Sequence, residues 1–525
     1  MVESEQYIQQ TVDHLQVVPN GPSPEQGFKV SLAHTSVEML RVPPPGISYV
    51  QNLMSSPCGS DGGRGGYYLG GRAHADLGHP VFPSDTPSDK EEYQAEEYQA
   101  LVAAAEGMVK RMVNTFIMEE EGLRVEEAQA LALLNTPNHE GFGVVMATKA
   151  NKEDGLRPVA AFLPVLSGDK KRVIGARYEV VYVDFQDFQP GDLVVTNAAL
   201  RCDQHWQINP KTGFPDKCDR KTDDGHDRKR VPGHSEMIGD SSVAEYGLPY
   251  KSHMLTKVPV ELRKWIEEDP ERRLPILIST EPFSCCFEAL QPILMGIQGE
   301  MKTESIPKRI AILGDGPNAA LLALTSTTVF PKAEIYVTGH TRRKVNAIEA
   351  INPKKIHGVY VDKEGGRHAH SEIRERLDGR KLDVLIPTFH VGSLKNYREL
   401  VKKKGRVIVW NADQVGKEDP FEGVGDPDKI HHSYGGWNQA EWTALEFMKT
   451  LSQLHPKRLE AVLNYPYFYM SMEGGAAAMQ QWIDRRGSYP VEMDRSTSGK
   501  IIIDHGNRGV LFSHTGSSQA LATQQ

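Results

Sequence analysis

The sequence has little cysteine: five residues in 525, at Cys58, Cys202, Cys218, Cys285 and Cys286. So odd and sparse a set makes no disulfide framework, which leaves stability to a buried core and individual thiols to metal binding. Long apolar runs are also lacking. No stretch reaches the roughly 18 residues that cross a bilayer, and the opening MVESEQYIQQ has neither the basic nor the apolar region of a signal peptide. A cytoplasmic protein with no membrane partner is expected. There is no extended basic block or acidic tail, and a formal charge of -9 argues against nucleic acid as a main partner. Hydrophobic residues make up 39% and charged residues 25%, as in ordinary soluble proteins, and the length suits two or three domains.

Residues 27 to 52 read as short strands broken by turns: FKVSLAH, then SVEMLRV, then the rigid PPPG before ISYVQNLM. A glycine-rich loop runs from Cys58 to Gly71. From about Glu91 to Leu134 the pattern turns helical, with the near-repeat EEYQAEEYQA followed by LVAAAEGMVKRMVNTFIM, whose apolar residues recur at three and four. Strand-like segments resume with GFGVVMAT, ARYEVVYVDF and DLVVTNAAL, so a mostly β domain is interrupted by a helical insertion. After Pro307 the texture changes again. RIAILGDGP is a buried strand entering a glycine turn, NAALLALTS opens a helix, and EIYVTGH is the next strand, which together make a βαβ unit. LDVLIPTF and GRVIVWNA read as further parallel strands, with the helix-like SLKNYRELVKK between them.

Gly314, Gly316 and Ala319 form G-x-G-x-x-A between a strand and a helix, the context that gives this motif meaning. Gly314 permits the tight turn, Gly316 lets backbone approach a pyrophosphate, and Ala319 allows close packing of helix on strand. The helix N-terminus adds free N–H groups and positive dipole. NAD sites usually place an acid about 20 positions on, at the end of the second strand. Thr338 and Gly339 stand there instead, with Arg342 and Arg343 close behind, a neutral pocket with guanidinium groups suited to the 2′-phosphate of NADP.

A second constellation carries metal-ligand chemistry. CGSD at Cys58 to Asp61, NHEGFGVV with His139 and Glu140, and EPFSCCFEAL with Glu281 supply thiolate, imidazole and carboxylate, the donors used by catalytic zinc. His79 in ADLGHPVF is a rival imidazole. In order along the chain come CGSD, HEGFG, PGDLVV, the Cys202 to Cys218 loop, AEYG, EPFSCCFEA, GDGPNA and YGGW. In these motifs the sequence resembles the medium-chain dehydrogenase/reductase superfamily, the zinc-dependent alcohol and polyol dehydrogenases.

That resemblance implies an α/β protein with a GroES-like, mostly β catalytic domain at 1–300, with a helical insertion at about 62–137. It further implies a Rossmann, doubly wound parallel-sheet domain at 301–455 and a C-terminal return at 456–525. It implies Zn2+ on Cys58, His139 and either Glu140 or Glu281, with Asp61 orienting His139 and Ser60 opening a proton relay. His139 is preferred to His79 because of its adjacent acid and following strand, although Asn138 replaces the family's usual glycine. The relay histidine that some relatives carry after the serine is absent, because Gly62 and Gly63 follow Asp61. Four cysteines for a second, structural zinc are also absent from the Cys202–Cys218 loop, where Cys202, His205 and Cys218, with His226 or a carboxylate, could form a mixed site.

The implied reaction interconverts a secondary alcohol, of the polyol, sugar or amino-alcohol kind, and a carbonyl, on a small-molecule substrate in a homo-oligomer. Zinc would stabilise an alkoxide while hydride passes to or from NADP. A zinc-free NADPH-dependent enoyl or quinone reductase and a noncatalytic NADPH-binding protein are the alternatives.

Overall fold

The computed structural model describes residues 7–19, 28–56, 123–124, 140–150, 156–184, 187–196, 248–252, 255–298, 305–361, 368–388, 394–410, 424–426, 429–432, 440–465, 467–484 and 500–506. Antiparallel strands come first. β1 (Tyr7–Pro19) and β2 (Phe28–Leu40) pair from end to end, Tyr7 opposite Leu40 and Pro19 opposite Phe28. β2 is thus one strand where two short ones were expected. Its continuity through His34 and Thr35 comes from β1, whose Asp13 and Val12 lie opposite them.

β3 (Ile47–Ser56) is buried at every position. β4 (Leu123–Arg124) pairs with Met39 and Glu38 of β2. These two residues are therefore extended, although they fall inside the stretch expected to be helical; its remaining residues lie outside the described ones. β5 (Glu140–Lys149) pairs with β3 from Ser56 opposite Glu140 to Ile47 opposite Lys149. β6 (Leu156–Leu166) and β7 (Val173–Asp184) form a separate two-stranded ribbon. β8 (Leu193–Thr196), β9 (Leu248–Lys251) and β10 (Leu255–Lys257) complete this part, in the order β10-β8-β5-β3 with β9 also on β3.

Helices then carry the chain across. α1 (Val260–Glu267) buries Leu262, Trp265 and Ile266, three and four residues apart on one face. α2 (Pro270–Arg273) and a 3₁₀ turn (Leu274–Ser279) lead into α3 (Thr280–Gln298).

The second half alternates strand and helix as far as β14 and then adds two strands: β11 (Arg309–Leu313), α4 (Pro317–Val329), β12 (Glu334–Gly339), α5 (Arg342–Ile351), β13 (Ile356–Tyr360), α6 (Ala369–Leu377), β14 (Leu382–Pro387), β15 (Val401–Val409) and β16 (Ile430–His432). All six strands are parallel, in the order β13-β12-β11-β14-β15-β16. Counted from β11 this is 3-2-1-4-5-6, the order in which two βαβαβ halves make a doubly wound sheet. Between β14 and β15 the expected helix is replaced by a 3₁₀ turn at Lys395–Tyr397, and Val401 already pairs with Leu382. Leu394, Tyr397, Leu400 and Val401 are all buried, so their helix-like spacing serves a tight turn and a strand.

α7 (Ala440–Leu454), α8 (Pro456–Leu463), β17 (Tyr467–Met470), α9 (Met472–Asp484) and β18 (Lys500–Asp504) follow. β18 runs antiparallel beside β3 and β17 parallel beside β18, so the last strands extend the sheet that the first half began.

The core lies where α3, α4 and α7 meet. Phe283, Phe287 and Phe447 are fully enclosed, with ring centroids 5.0 Å apart for the first pair and 4.5 Å for the second. Each such ring contributes about 1.5–3 kcal/mol by leaving water. α4 is buried from Ala319 to Val329, including four hydroxyl residues. The hydroxyls of Thr325 and Thr328 bond back to the carbonyls of Leu321 and Leu324 at 2.8 and 2.7 Å, which removes the desolvation penalty of burying them.

Candidate functional site

The first candidate surface lies at the carboxyl ends of the parallel strands, at the neighbours β11 and β14, where the strand order reverses. Crevices at this reversal of strand order are where open α/β sheets bind ligands. Thr388, just past β14, clamps the two ends together: its amide and hydroxyl both donate to the Leu313 carbonyl, at 2.9 and 2.8 Å. The chain then turns at Gly314, whose φ of 130° only glycine adopts readily. The Gly314 amide is held by Thr338, through its carbonyl at 3.1 Å and its hydroxyl at 3.3 Å. The hydroxyl of Thr338 is therefore turned into the glycine loop, and the residue is buried.

Gly316 is the N-cap of α4, with Pro317 at the first helical position and no side-chain cap. A Cβ on Gly316 would meet nothing within 4 Å. Open space thus lies over the uncapped first turn of a helix, where backbone N–H groups and dipole favour an anion. Ala319 is fully buried against the sheet, as close helix packing requires.

Asp315, the residue between the two glycines, leans the other way. Its side chain lies over Gly339 at the end of β12. A Cβ on Gly339 would stand 2.4 Å from Asp315 Cβ, 2.5 Å from Oδ2 and 2.6 Å from Cγ. Oδ2 accepts the Thr341 amide at 2.9 Å. The loop is anchored from behind by the buried Tyr465, whose hydroxyl donates to the Asp315 carbonyl at 2.6 Å. Arg342 and Arg343 open α5 and are exposed. The Arg342 guanidinium lies 4.8 Å from the centroid of the Tyr360 ring, a cation–π contact with β13.

The second candidate surface is a polar cluster at one end of the antiparallel sheet. Ser55 and Ser56 close β3, and Glu140 opens β5 opposite Ser56; all three are buried. Ser55 Oγ is 2.9 Å from His505 Nε2, Ser56 Oγ donates to the Ile501 carbonyl at 2.6 Å, and Thr196 Oγ1 donates to the Gly141 carbonyl at 3.1 Å. These bonds meet the hydrogen-bonding needs of the three hydroxyls at this sheet end.

The 3₁₀ turn at Leu274–Ser279 packs on β3 and β5 and leads directly to Glu281 in the first turn of α3. Glu281 is 9% exposed, and its Oε1 accepts the Cys285 thiol at 3.0 Å. Burial, with Glu281 and Glu288 beside it, pushes the Cys285 thiol well above its ordinary pKa, so it stays protonated.

Of the expected metal ligands, Glu140 and Glu281 are thus described. Cys58, Ser60, Asp61, His79, His139, Cys202, His205, Cys218 and His226 lie outside the described residues. Among the described residues no group of three or more His, Cys, Asp or Glu side chains could hold a metal ion, so Glu140 and Glu281 do not by themselves make a zinc site. No described helix is long and apolar enough to cross a membrane.

Reading the sequence did not single out Asp315, Tyr465 or the Ser55–His505 pair. Only Asp315 carried a local signal, a charged residue inside the glycine turn.

No protein-family model matches the chain, and no curated protein matches its sequence. Solved structures do share its fold. A proposed alcohol dehydrogenase from Thermotoga maritima aligns over 94% of this chain and 99% of its own, with a TM-score of 0.52 at 13% identity. AibC aligns over the same shares, with a TM-score of 0.50 at 12% identity. The chain therefore has a mixed α/β fold like that of these structures.

Proposed function

We propose that the chain is a nicotinamide-dinucleotide-dependent oxidoreductase of the dehydrogenase/reductase kind, interconverting an alcohol and a carbonyl. The observation that carries this is the glycine turn at the reversal of the 3-2-1-4-5-6 sheet, with open space over Gly316 and an uncapped helix start. In this reading the parallel-sheet part is a Rossmann domain and the antiparallel part a GroES-like catalytic domain. The first-turn amides of α4 hold the pyrophosphate, Gly316 admits it, and Thr338 keeps the turn in shape. When bound, the cofactor supplies or accepts hydride at its nicotinamide ring.

The substrate end of the site is assigned to the cluster around Ser55, Ser56 and Glu140, from which the chain continues toward Cys58. Cys58, His139 and Glu140 or Glu281 would hold zinc, which supplies Lewis acidity at the substrate oxygen. The zinc assignment rests on the order of motifs in the sequence. A secondary alcohol of polyol, sugar or amino-alcohol type is the substrate class that the E-P context of Glu281 favours. For the 2′ position of the cofactor, Arg342 and Arg343 favour the phosphate of NADP, while the Asp315 carboxylate opposes it.

The test is fluorescence titration of the full chain with NADH and NADPH, beside Gly316→Val. The valine side chain would fill the open space, so binding of both nucleotides should fall at least about tenfold, the loss of one good anion contact. Equal binding by the variant, or no binding by the parent, would sink the assignment. Metal content measured on parent and Cys58→Ser checks the zinc separately: about one zinc per chain is expected in the parent and a loss in the variant.

A further inference from the structure

We propose that Asp315, from inside the glycine turn, is the residue that receives the adenosine ribose hydroxyls and turns the site toward NAD(H). The proposal rests on the dinucleotide reading above. The acid that normally takes these hydroxyls projects from the end of the second strand. Here that strand ends in Gly339, and the Asp315 side chain fills the room a side chain at 339 would begin in, with Cβ 2.4 Å and the carboxylate Oδ2 and Cγ 2.5 and 2.6 Å from its Cβ position. The carboxylate thus reaches the same place from the neighbouring loop.

The arrangement is fixed at three points. Tyr465 holds the Asp315 carbonyl at 2.6 Å, Thr341 holds Oδ2 at 2.9 Å, and Gly339 offers no side chain to displace it. Oδ1 has no partner among the described residues, and Asp315 is half-exposed. A free carboxylate oxygen on a held side chain is an acceptor for a ribose diol, and a charge-assisted one.

The two arginines pull toward a 2′-phosphate, and their weight is smaller. Both are exposed, where solvent and salt screen their charge, and Arg342 is already engaged by Tyr360. Asp315 is held beside the ribose position, so a phosphate there would meet a like charge at short range. The held, half-buried group outweighs the two exposed ones.

The experiment measures dissociation constants of NADH and NADPH for the full chain, Asp315→Asn and Gly339→Ala, at fixed ionic strength. The parent should bind NADH about tenfold or more tighter than NADPH. Asp315→Asn keeps an acceptor for the Thr341 amide while removing the charge. It should weaken NADH about tenfold and leave NADPH unchanged or tighter. Gly339→Ala, whose methyl would stand 2.4 Å from Asp315 Cβ and so pushes the whole side chain away, should shift the preference in the same direction.

Tighter NADPH binding by the parent would overturn the proposal. So would an equal loss for both nucleotides in Asp315→Asn, since that is the result of a merely structural role. Absence of binding of either nucleotide to the parent would instead overturn the glycine-turn reading, and this proposal with it.

Discussion

Gly143 and Gly316 both sit in glycine-containing motifs, and the structure separates them by what an added methyl would meet. Gly143 is buried at the centre of the antiparallel sheet, opposite Asn52 of β3 and Val194 of β8. β3 carries an extra residue there, Leu53, between the partners of Gly143 and Phe142. A Cβ on Gly143 would lie 2.3 Å from the Gln51 carbonyl oxygen, 2.9 Å from its carbon and 2.7 Å from Val50 Cγ1, where ordinary contact begins at 3.4 Å. Two of these are backbone atoms, so no rotamer change relieves them. The strands must part by about 1 Å, and overpacking of this kind costs about 1–3 kcal/mol. One or two weakened ladder hydrogen bonds add about 0.5–1.5 kcal/mol each. Gly143→Ala should therefore cost about 2–4 kcal/mol, a large share of the roughly 5–15 kcal/mol that holds a domain. Gly316→Ala meets nothing within 4 Å at φ −73°, so only a small capping loss, under about 1 kcal/mol, is expected. Hydrogen exchange followed by peptide reads both: protection over 47–56 and 140–149 should fall by about one and a half to three orders of magnitude in Gly143→Ala and stay at the parent level in Gly316→Ala. Parent-level protection in Gly143→Ala would refute the close approach of β3 and β5.

Tyr465→Phe removes the donor to the Asp315 carbonyl while keeping the ring. The carbonyl is near enough to solvent for water to replace it, so the loss should be about 1 kcal/mol, with dinucleotide affinity reduced a fewfold; unchanged affinity would show that the anchor is dispensable. Cys285 and Cys286 are buried, with thiols donating to Glu281 and to the Pro282 carbonyl, and burial raises both pKa values. Raising the pH from 7 to 8.5 should leave their alkylation negligible in the native chain, since neither forms thiolate there. Peptide mapping after iodoacetamide should find both modified only in denaturant. Native labelling at free-thiol rates would refute the placement of α3.

Four of the six parallel strands, β11, β12, β14 and β15, were readable because each carries a short apolar run between turn residues, and burial on both faces demands that composition, while β13 and β16, half-buried and holding His357, His431 and His432, were not. β6 was not. Pro158 and Pro164 lie within it, and proline inside an apolar run argues against a strand unless the strand is at an edge. β6 belongs to a two-stranded ribbon, where edges abound, and only its pairing with β7 makes that visible. The stretch 393–403 failed for the opposite reason. Its apolar spacing fits a helix, but the energy goes to pairing Val401 with Leu382, a contact across nearly twenty residues.

At the site, the glycine turn was legible because its requirements are local: a positive φ at Gly314, open space at Gly316, a small residue at 319. Counting forward along one strand leads to Thr338 and Gly339 in place of an acid, and on to Arg342 and Arg343, which point to NADP. The contact between Asp315 and Gly339 spans two elements and is invisible along either one alone. An aspartate between the two glycines and a glycine at the end of the next strand are one feature, because the side chain of the first occupies the space vacated by the second. Any larger residue at 339 would drive the Asp315 carboxylate off Thr341, and a neutral residue at 315 would leave the ribose facing only exposed arginines. If Asp315 receives the ribose as proposed, cofactor choice is set by the pair 315 and 339, and changing either member alone should change it.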